Sequence, residues 1–344
     1  MARVLYALSG QGRGHTSRGQ AVAAGLRARG HTVTFCGGGT ARSVLEAAGE
    51  TVIPAPTLRQ IMRWNRLLLL TTGARNARTV LEGARTVRRL ERALEDAHID
   101  LVVSDFDAFA HRAADRLGLP VVTVDHQQVV TETRPDPPVV DPFSRFVASN
   151  AVRRIVARRP VRRLISTFFR PPLRDPSRAT FVGPILRPEI RALEVEFGDH
   201  VLVYVNGSVR ASRVRRVLEG VDARFAVYGL EGESTARVAF RQPSRAGFLR
   251  DLATCRAVVC TAGFTLLSEA ISLGKPILAV PNGGIYEQAL NAAFLERQGR
   301  GHAARRLTPD AVARVLEVAR PLAAPDLEDG LPSVLDAIDE ALRR

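Results

Sequence analysis

The stretch Arg3-Val-Leu-Tyr-Ala-Leu8, running into Ser9-Gly10-Gln11-Gly12-Arg13-Gly14-His15, reads as a buried strand that breaks into a glycine turn. A helical stretch follows from about Ser17 to Arg29. Gly30 stops it, and His31 to Cys36 reads as a second strand. A short apolar run without alternation marks a strand covered on both faces, as in a parallel sheet. Working outward, Leu101 to Ser104 and Val121 to Val124 are two more such runs. The pattern then restarts. Val201-Leu-Val-Tyr-Val205 ends at Asn206-Gly207-Ser208, and Arg224 to Gly229, Ala257 to Cys260 and Pro276 to Val280 are further strands separated by helical stretches. Strands alternating with helices predict a parallel sheet with helices on both faces. Because the pattern occurs twice, the fold class is α/β with two Rossmann-like doubly wound domains. The expected boundaries are a first domain over 1–183, a proline-bearing linker over 184–199, a second domain over 200–330 and an amphipathic helix over 331–344.

A chain of 344 residues with 46% hydrophobic residues is long enough for two cores. The apolar run at 3–8 is shorter than a secretory signal, and no run approaches the roughly 20 residues that span a bilayer. Three cysteines, Cys36, Cys255 and Cys260, fit neither a disulfide framework nor a zinc site. A cytoplasmic location is the expectation. The net charge of +14 rests almost wholly on arginine, Lys275 being the only lysine. Residues 1–199 carry +11 of it and residues 200–344 only +3. The density peaks over Arg59–Arg92 and Arg145–Arg191, and residues 57–92 and 145–170 read as helical, with Trp64, Leu67 to Leu70, Phe168 and Phe169 interleaved. Such a surface is either an ordinary arginine-rich solvent face or a basic amphipathic one resting on anionic lipid at the inner face of the cell membrane. Nucleic acid is not the expected partner, since aromatics are 6% and no groove-reading motif is present.

Three motifs carry chemistry. Gly10-x-Gly12-x-Gly14-His15 is not the dinucleotide fingerprint: His15 stands where that pattern continues, and no acidic residue closes the second strand. Gly12 and Gly14 let backbone approach a ligand at a helix N-terminus. His15, at the carboxyl edge of a parallel sheet, suits general-base work, because imidazole titrates near neutrality. Asp105-Phe106-Asp107 follows the strand 101–104. Asp105 is placed to orient His15, whereas Asp107 reads as a helix cap. The third motif, Thr261-Ala-Gly263-Phe-Thr265-Leu-Leu-Ser-Glu269, opens a helix with small residues. Its backbone N–H groups suit a diphosphate, and Glu269 lies one turn after Thr265, suited to ribose hydroxyls. Beyond it, Glu287, Gln288 and Asn291 adjoin the loop Pro281-Asn-Gly-Gly284 and suit sugar hydroxyls.

Taken together, these residues resemble GT-B glycosyltransferases, in particular glycosyltransferase family 28 and the lipid II-forming N-acetylglucosaminyltransferase group. The resemblance also uses Gly183-Pro-Ile-Leu-Arg187, Asn206-Gly207-Ser208 and Glu287-Gln288-x-x-Asn291-Ala292, and it spans both domains in order. It implies an interdomain cleft, an acceptor-binding first domain and a donor-binding second domain. It implies His15 as catalytic base with Asp105 as its partner, Gly263 and Thr265 at the diphosphate, Glu269 at the ribose, Arg187 and Ser208 as further phosphate contacts and Gln288 at the sugar. The implied reaction is inverting transfer from a UDP-sugar to an acceptor hydroxyl, with no metal and no cofactor. The acceptor is then a membrane lipid or lipid-linked glycan, or alternatively a soluble small molecule. A UDP-sugar 2-epimerase of the same fold is the other reading and needs further carboxylates converging in the cleft.

Overall fold

The computed structural model describes residues 1–63, 66–135, 142–205, 209–317, 322 and 327–343. The chain opens with β1 (Arg3–Leu8), α1 (Arg13–Ala28), β2 (Thr32–Gly37), α2 (Gly39–Ala47) and β3 (Val52–Pro54). The short antiparallel pair β4 (Met62–Arg63) and β5 (Arg66–Leu67) precedes α3 (Leu69–Leu81) and α4 (Gly83–Asp96). Then come β6 (Leu101–Asp105), α5 (Ala110–Leu117), β7 (Val121–Asp125), α6 (Val129–Glu132), α7 (Pro142–Ile155), β8 (Arg162–Ser166) and β9 (Thr180–Val182). The second half holds α8 (Pro188–Arg191), β10 (His200–Tyr204), α9 (Ala211–Glu219), β11 (Arg224–Tyr228), β12 (Val238–Phe240) and α10 (Arg245–Thr254). It continues through β13 (Ala257–Cys260), α11 (Phe264–Ser272), β14 (Ile277–Ala279), α12 (Tyr286–Arg297), β15 (Gly301–Ala303) and α13 (Pro309–Glu317) to α14 (Gly330–Leu342).

Two parallel sheets result, as the repeated strand–helix pattern predicts. The first has the order β3-β2-β1-β6-β7-β8-β9, with Val4 opposite both Val33 and Leu101. The second has the order β12-β11-β10-β13-β14-β15. In each, the first strand of the repeat lies inside and the order reverses beside it, at β1/β6 and at β10/β13. Ligands of doubly wound sheets bind at such reversals, beyond the carboxyl ends of the strands.

Local sequence explains the packing. α1 turns Val22, Ala23 and Leu26 onto Tyr6 and Phe35, and Gly19 is needed because a Cβ there would stand 2.9 Å from the Tyr6 ring. α14 closes the same core through Val334, Leu335 and Ile338, and the Asp339 carboxylate pairs with Arg29 and His31 at the end of α1. Its return is made at a backbone crossing: a Cβ on Gly183 would lie 1.7 Å from the Glu328 carbonyl oxygen, and one on Gly330 would lie 2.0 Å from that of Gly183.

The chain divides into two compact units, one of 1–61, 69–187 and 328–344, the other of 62–68 and 188–327. The first unit thus runs past residue 183 to Arg187 and takes back the C-terminal helix, while β4 and β5 belong with the second. Leu67 N–H donates to the Gly283 carbonyl at 2.9 Å, fixing that assignment. The arginine-rich stretches also need correction. Residues 162–166 form a strand rather than a helix, because Arg163 is buried and satisfied by Gln128, Glu132 and the carbonyl oxygens of Ala157 and Arg158. Phe168 and Phe169 pack inside, edge to face at 5.0 Å between centroids, so neither is available to a lipid surface. Trp64 lies outside the described residues. Among the described residues, no helix is long and apolar enough to cross a membrane.

Candidate active site

Three strand ends of the first sheet meet beside the β1–α1 turn. Gly12, with φ of +94°, precedes α1, and open space lies where its Cβ would be. Gly14 and His15 fall in the first turn of that helix. His15 Nδ1 lies 2.7 Å from the Oδ1 of Asp105, the last residue of β6. Asp105 is fully buried and receives three further donors: Arg18 Nε to Oδ2 at 2.9 Å, the second Arg18 nitrogen to Oδ1 at 2.6 Å, and the Tyr6 hydroxyl to Oδ2 at 3.0 Å. Burial by itself would raise the Asp105 carboxyl, but Arg18 and then His15 overcome it and hold it at about 2. Burial would likewise lower the Arg18 pKa, and Asp105 drives it up instead. Both charges are therefore locked on. Arg18 also lies 3.1 Å from His15 Nδ1, but an ionised carboxylate at 2.7 Å can only accept, so Asp105 favours the tautomer with the proton on Nδ1 and the lone pair at Nε2. Phe106, at φ of 54°, turns the chain sharply after Asp105 and stacks on the imidazole at 6.3 Å between centroids. A bulky side chain in the left-handed region is strained, and such strain concentrates at working sites. Asp107 accepts from the N–H groups of Phe109 and Ala110, the capping role read from the sequence.

The sequence reading missed the rest of this site. Arg18 was legible in principle, being one turn after His15 and so on the same helix face. Asp125 ends β7 just as Asp105 ends β6. Burial pushes its carboxyl up to about 7, against the bonds Gln128 donates to both oxygens and with the Asp105 charge adding to the rise. Gln128 in turn accepts from Arg163 at 2.8 Å, so a buried polar chain runs from β7 to β8.

In the second unit, Gly263 caps α11 with no side-chain hydrogen bond, and open space lies where its Cβ would be. Ala262 before it has φ of 58°, a strained turn presenting the helix N-terminus. Asn291, fully buried, donates to the Ala262 carbonyl at 3.1 Å and so holds this turn. Gln288 Oε1 accepts from the Asn282 N–H at 2.8 Å and holds the 281–285 loop. Thr265 is part-exposed near the opening of α11, whereas Glu269 is only 2% exposed. Glu287 lies in the first turn of α12, and Arg187 closes the first unit. Ser208, with Asn206 and Gly207, lies outside the described residues.

A family model described as Glycosyl transferase family 1 matches residues 2–319. An uncharacterized glycosyltransferase of Methanosarcina mazei is 25% identical over 347 residues, covering 92% of this chain and 89% of that protein. Three solved structures are similar at low identity. CalG4, the calicheamicin glycosyltransferase, gives a TM-score of 0.66 at 20% identity, with 100% of this chain and 99% of that one covered. VinC, a glycosyltransferase in complex with dTDP, gives 0.60 at 18%, covering 99% and 98%. MurG of Acinetobacter baumannii gives 0.57 at 16%, covering 99% and 100%. The fold is GT-B and the protein is a glycosyltransferase. The chain belongs to Glycosyl transferase family 1.

Proposed function

We propose that this protein moves a sugar from a nucleoside diphosphate sugar to an acceptor hydroxyl by a single inverting displacement, without a metal ion. The observation that carries the reading is the Asp105-anchored His15, whose Nε2 lone pair takes the acceptor proton. The freed oxygen attacks the anomeric carbon, the bond from that carbon to the diphosphate breaks, and the proton remains on His15. Asp105, kept ionised by Arg18, stabilises the imidazolium. The charge growing on the diphosphate is met by the N–H groups and dipole at the start of α11, supported by the open space at Gly263. Thr265 and Arg187 assist with the phosphates, Glu269 with the ribose, and Glu287 and Gln288 with the sugar. Asn291 serves the same donor site indirectly, by shaping the Ala262 turn.

The nucleotide is uridine diphosphate by sequence resemblance, while VinC is in complex with dTDP. A thermal-shift panel of nucleotides and nucleotide sugars decides between the two. A ligand at 100 times its Kd stabilises the fold by about 2.7 kcal/mol. UDP is expected to raise Tm, and a shift with dTDP alone would replace the base assignment. On the acceptor side we read a membrane lipid or lipid-linked glycan. Leu70, Leu81, Phe143 and Phe146 are exposed large apolar side chains among the arginines of α3 and α7. Salt-sensitive sedimentation with anionic vesicles supports this reading, and equal recovery in the supernatant with anionic and neutral vesicles contradicts it.

A further inference from the structure

We propose that the chain at residues 59–61, held by Gln11, Thr72 and Asn76, anchors β5 against the 281–285 loop and so shapes the nucleotide-sugar site before the donor arrives. This deepens the donor reading above, on which it rests, by naming positioning residues for that site. Arg59, Gln60 and Ile61 lie in no strand or helix, yet side chains take up their backbone groups one after another. Asn76 accepts from the Arg59 N–H and donates to the Arg59 carbonyl, both at 2.8 Å. Gln11 accepts from the Gln60 N–H at 2.7 Å and donates to the Gln60 carbonyl at 3.1 Å. The Thr72 hydroxyl accepts from the Ile61 N–H at 3.0 Å. Gln11 belongs to the turn that leads to His15. Thr72 and Asn76 stand one turn apart on α3, a helix that buries none of its residues. The arginine-rich stretch thus clamps irregular backbone that an exposed loop ordinarily leaves to water.

What the clamp delivers is β5. Leu67 N–H donates to the Gly283 carbonyl at 2.9 Å, and Arg66 stands opposite Gly283 in a parallel bridge. β5 and the loop lie in one compact unit. Gly284, at φ of +82°, lets the loop pass so close that a Cβ there would stand 3.4 Å from the Leu67 Cβ. From within, the loop is held by Gln288, which accepts the Asn282 N–H, and by the Ile285 N–H, which donates to the Asn282 carbonyl at 3.2 Å. Consecutive glycines are costly to order, and a loop ordered in advance spares the ligand that cost. β5 is suspended between Ile61 and the start of α3, so freeing residues 59–61 loosens the pairing at Gly283 as well.

The test introduces Leu67→Cys/Gly284→Cys into the full chain. A Cβ separation of 3.4 Å lies at the short edge of the roughly 3.5–4.5 Å that a disulfide spans, and Cys36, Cys255 and Cys260 are buried. With diamide as oxidant the pair is expected to cross-link, and adding Gln11→Ala or Asn76→Ala is expected to slow the reaction about tenfold. In calorimetry with UDP-glucose and dTDP-glucose, Gln11→Ala and Asn76→Ala are each expected to bind about tenfold more weakly, the scale of ordering one further backbone residue. The cross-link is expected to restore that affinity in both backgrounds, measured against the reduced form, which carries the same strain at position 284. Failure to cross-link, a rate indifferent to Gln11 and Asn76, affinity that neither substitution lowers, or affinity that the cross-link fails to restore overturns the proposal. Cross-linking that depends on both residues, in a chain that binds neither nucleotide sugar, would count against the donor site proposed above rather than against this anchor.

Discussion

Replacing Asp105 by Asn removes one charge and little volume, yet it strikes two functions at once. The carboxyl is held at about 2 instead of 3.8, which corresponds to about 2.5 kcal/mol of stability at neutral pH. The sign follows from the depressed pKa: this contribution is present above pH 3.8 and is lost as pH falls through about 2. The neutral amide also leaves the Arg18 guanidinium buried without its counter-charge, and breaking a buried pair in this way costs about 3–5 kcal/mol. Those two figures describe overlapping losses, so the expected total is about 3–5 kcal/mol. Turnover is expected to fall as well, on the order of 10²–10⁴-fold, because the imidazole loses its anchor. Urea denaturation and turnover, read on the same preparations, separate the two effects when Arg18→Met is added. The double variant replaces the pair by neutral groups and is expected to regain much of the stability while activity stays low. Strictly additive stability losses in the double variant, or an Asp105→Asn variant within about 0.5 kcal/mol of wild type, would refute the reasoning.

Further outcomes follow from other parts of the chain. Lys275, the only lysine, is buried and donates to the carbonyl oxygens of Glu196, Ala253 and Cys255. These three acceptors converge on one point rather than in a plane, so Lys275→Arg is expected to cost about 2–4 kcal/mol in urea denaturation, and an unchanged midpoint contradicts this. Gly183→Ala is expected to lower Tm strongly, since its Cβ meets the Glu328 backbone; a normal Tm means that the α14 return is not fixed at that crossing. Asp125 has a folded pKa raised from 3.8 to about 7. Its contribution is fully present below pH 3.8 and disappears as pH rises through about 7, so stability should decline across that window more in wild type than in Asp125→Asn. Parallel pH profiles would argue against that titration. Activity is also expected to survive EDTA; loss restored by magnesium or manganese would sink the metal-free displacement.

The parallel sheets were legible because β1 and β10 are unbroken apolar runs closed by glycine loops, a local signal of type and order. β8 was not. Arg162 and Arg163 precede Leu164 and Ile165, and only the distant Gln128 and Glu132 make a buried arginine tolerable there. The return of α14 depends on residues far apart in the chain, Gly25 against Leu335 and Gly183 against Gly330, which no periodicity reports. At the site, His15 and Asp105 were found from their places after strands and are in contact. Asp125 occupies an equivalent place, but its carboxyl is raised to about 7 by burial, with the Asp105 charge adding to the rise, which only the folded chain supplies. Asn291 reads as a sugar contact because polar residues at a helix start resemble ligand contacts, and its hydrogen bond to the Ala262 carbonyl is a long-range contact that no periodicity reports.

The most direct measurement is single-turnover sugar transfer by His15→Ala, with nucleotide-sugar affinity determined by calorimetry on the same protein. A base at Nε2 of His15 requires transfer to slow by about 10²–10⁴-fold while donor affinity stays close to wild type. Near-normal transfer by His15→Ala would place the base elsewhere and contradict the mechanism proposed for this glycosyltransferase.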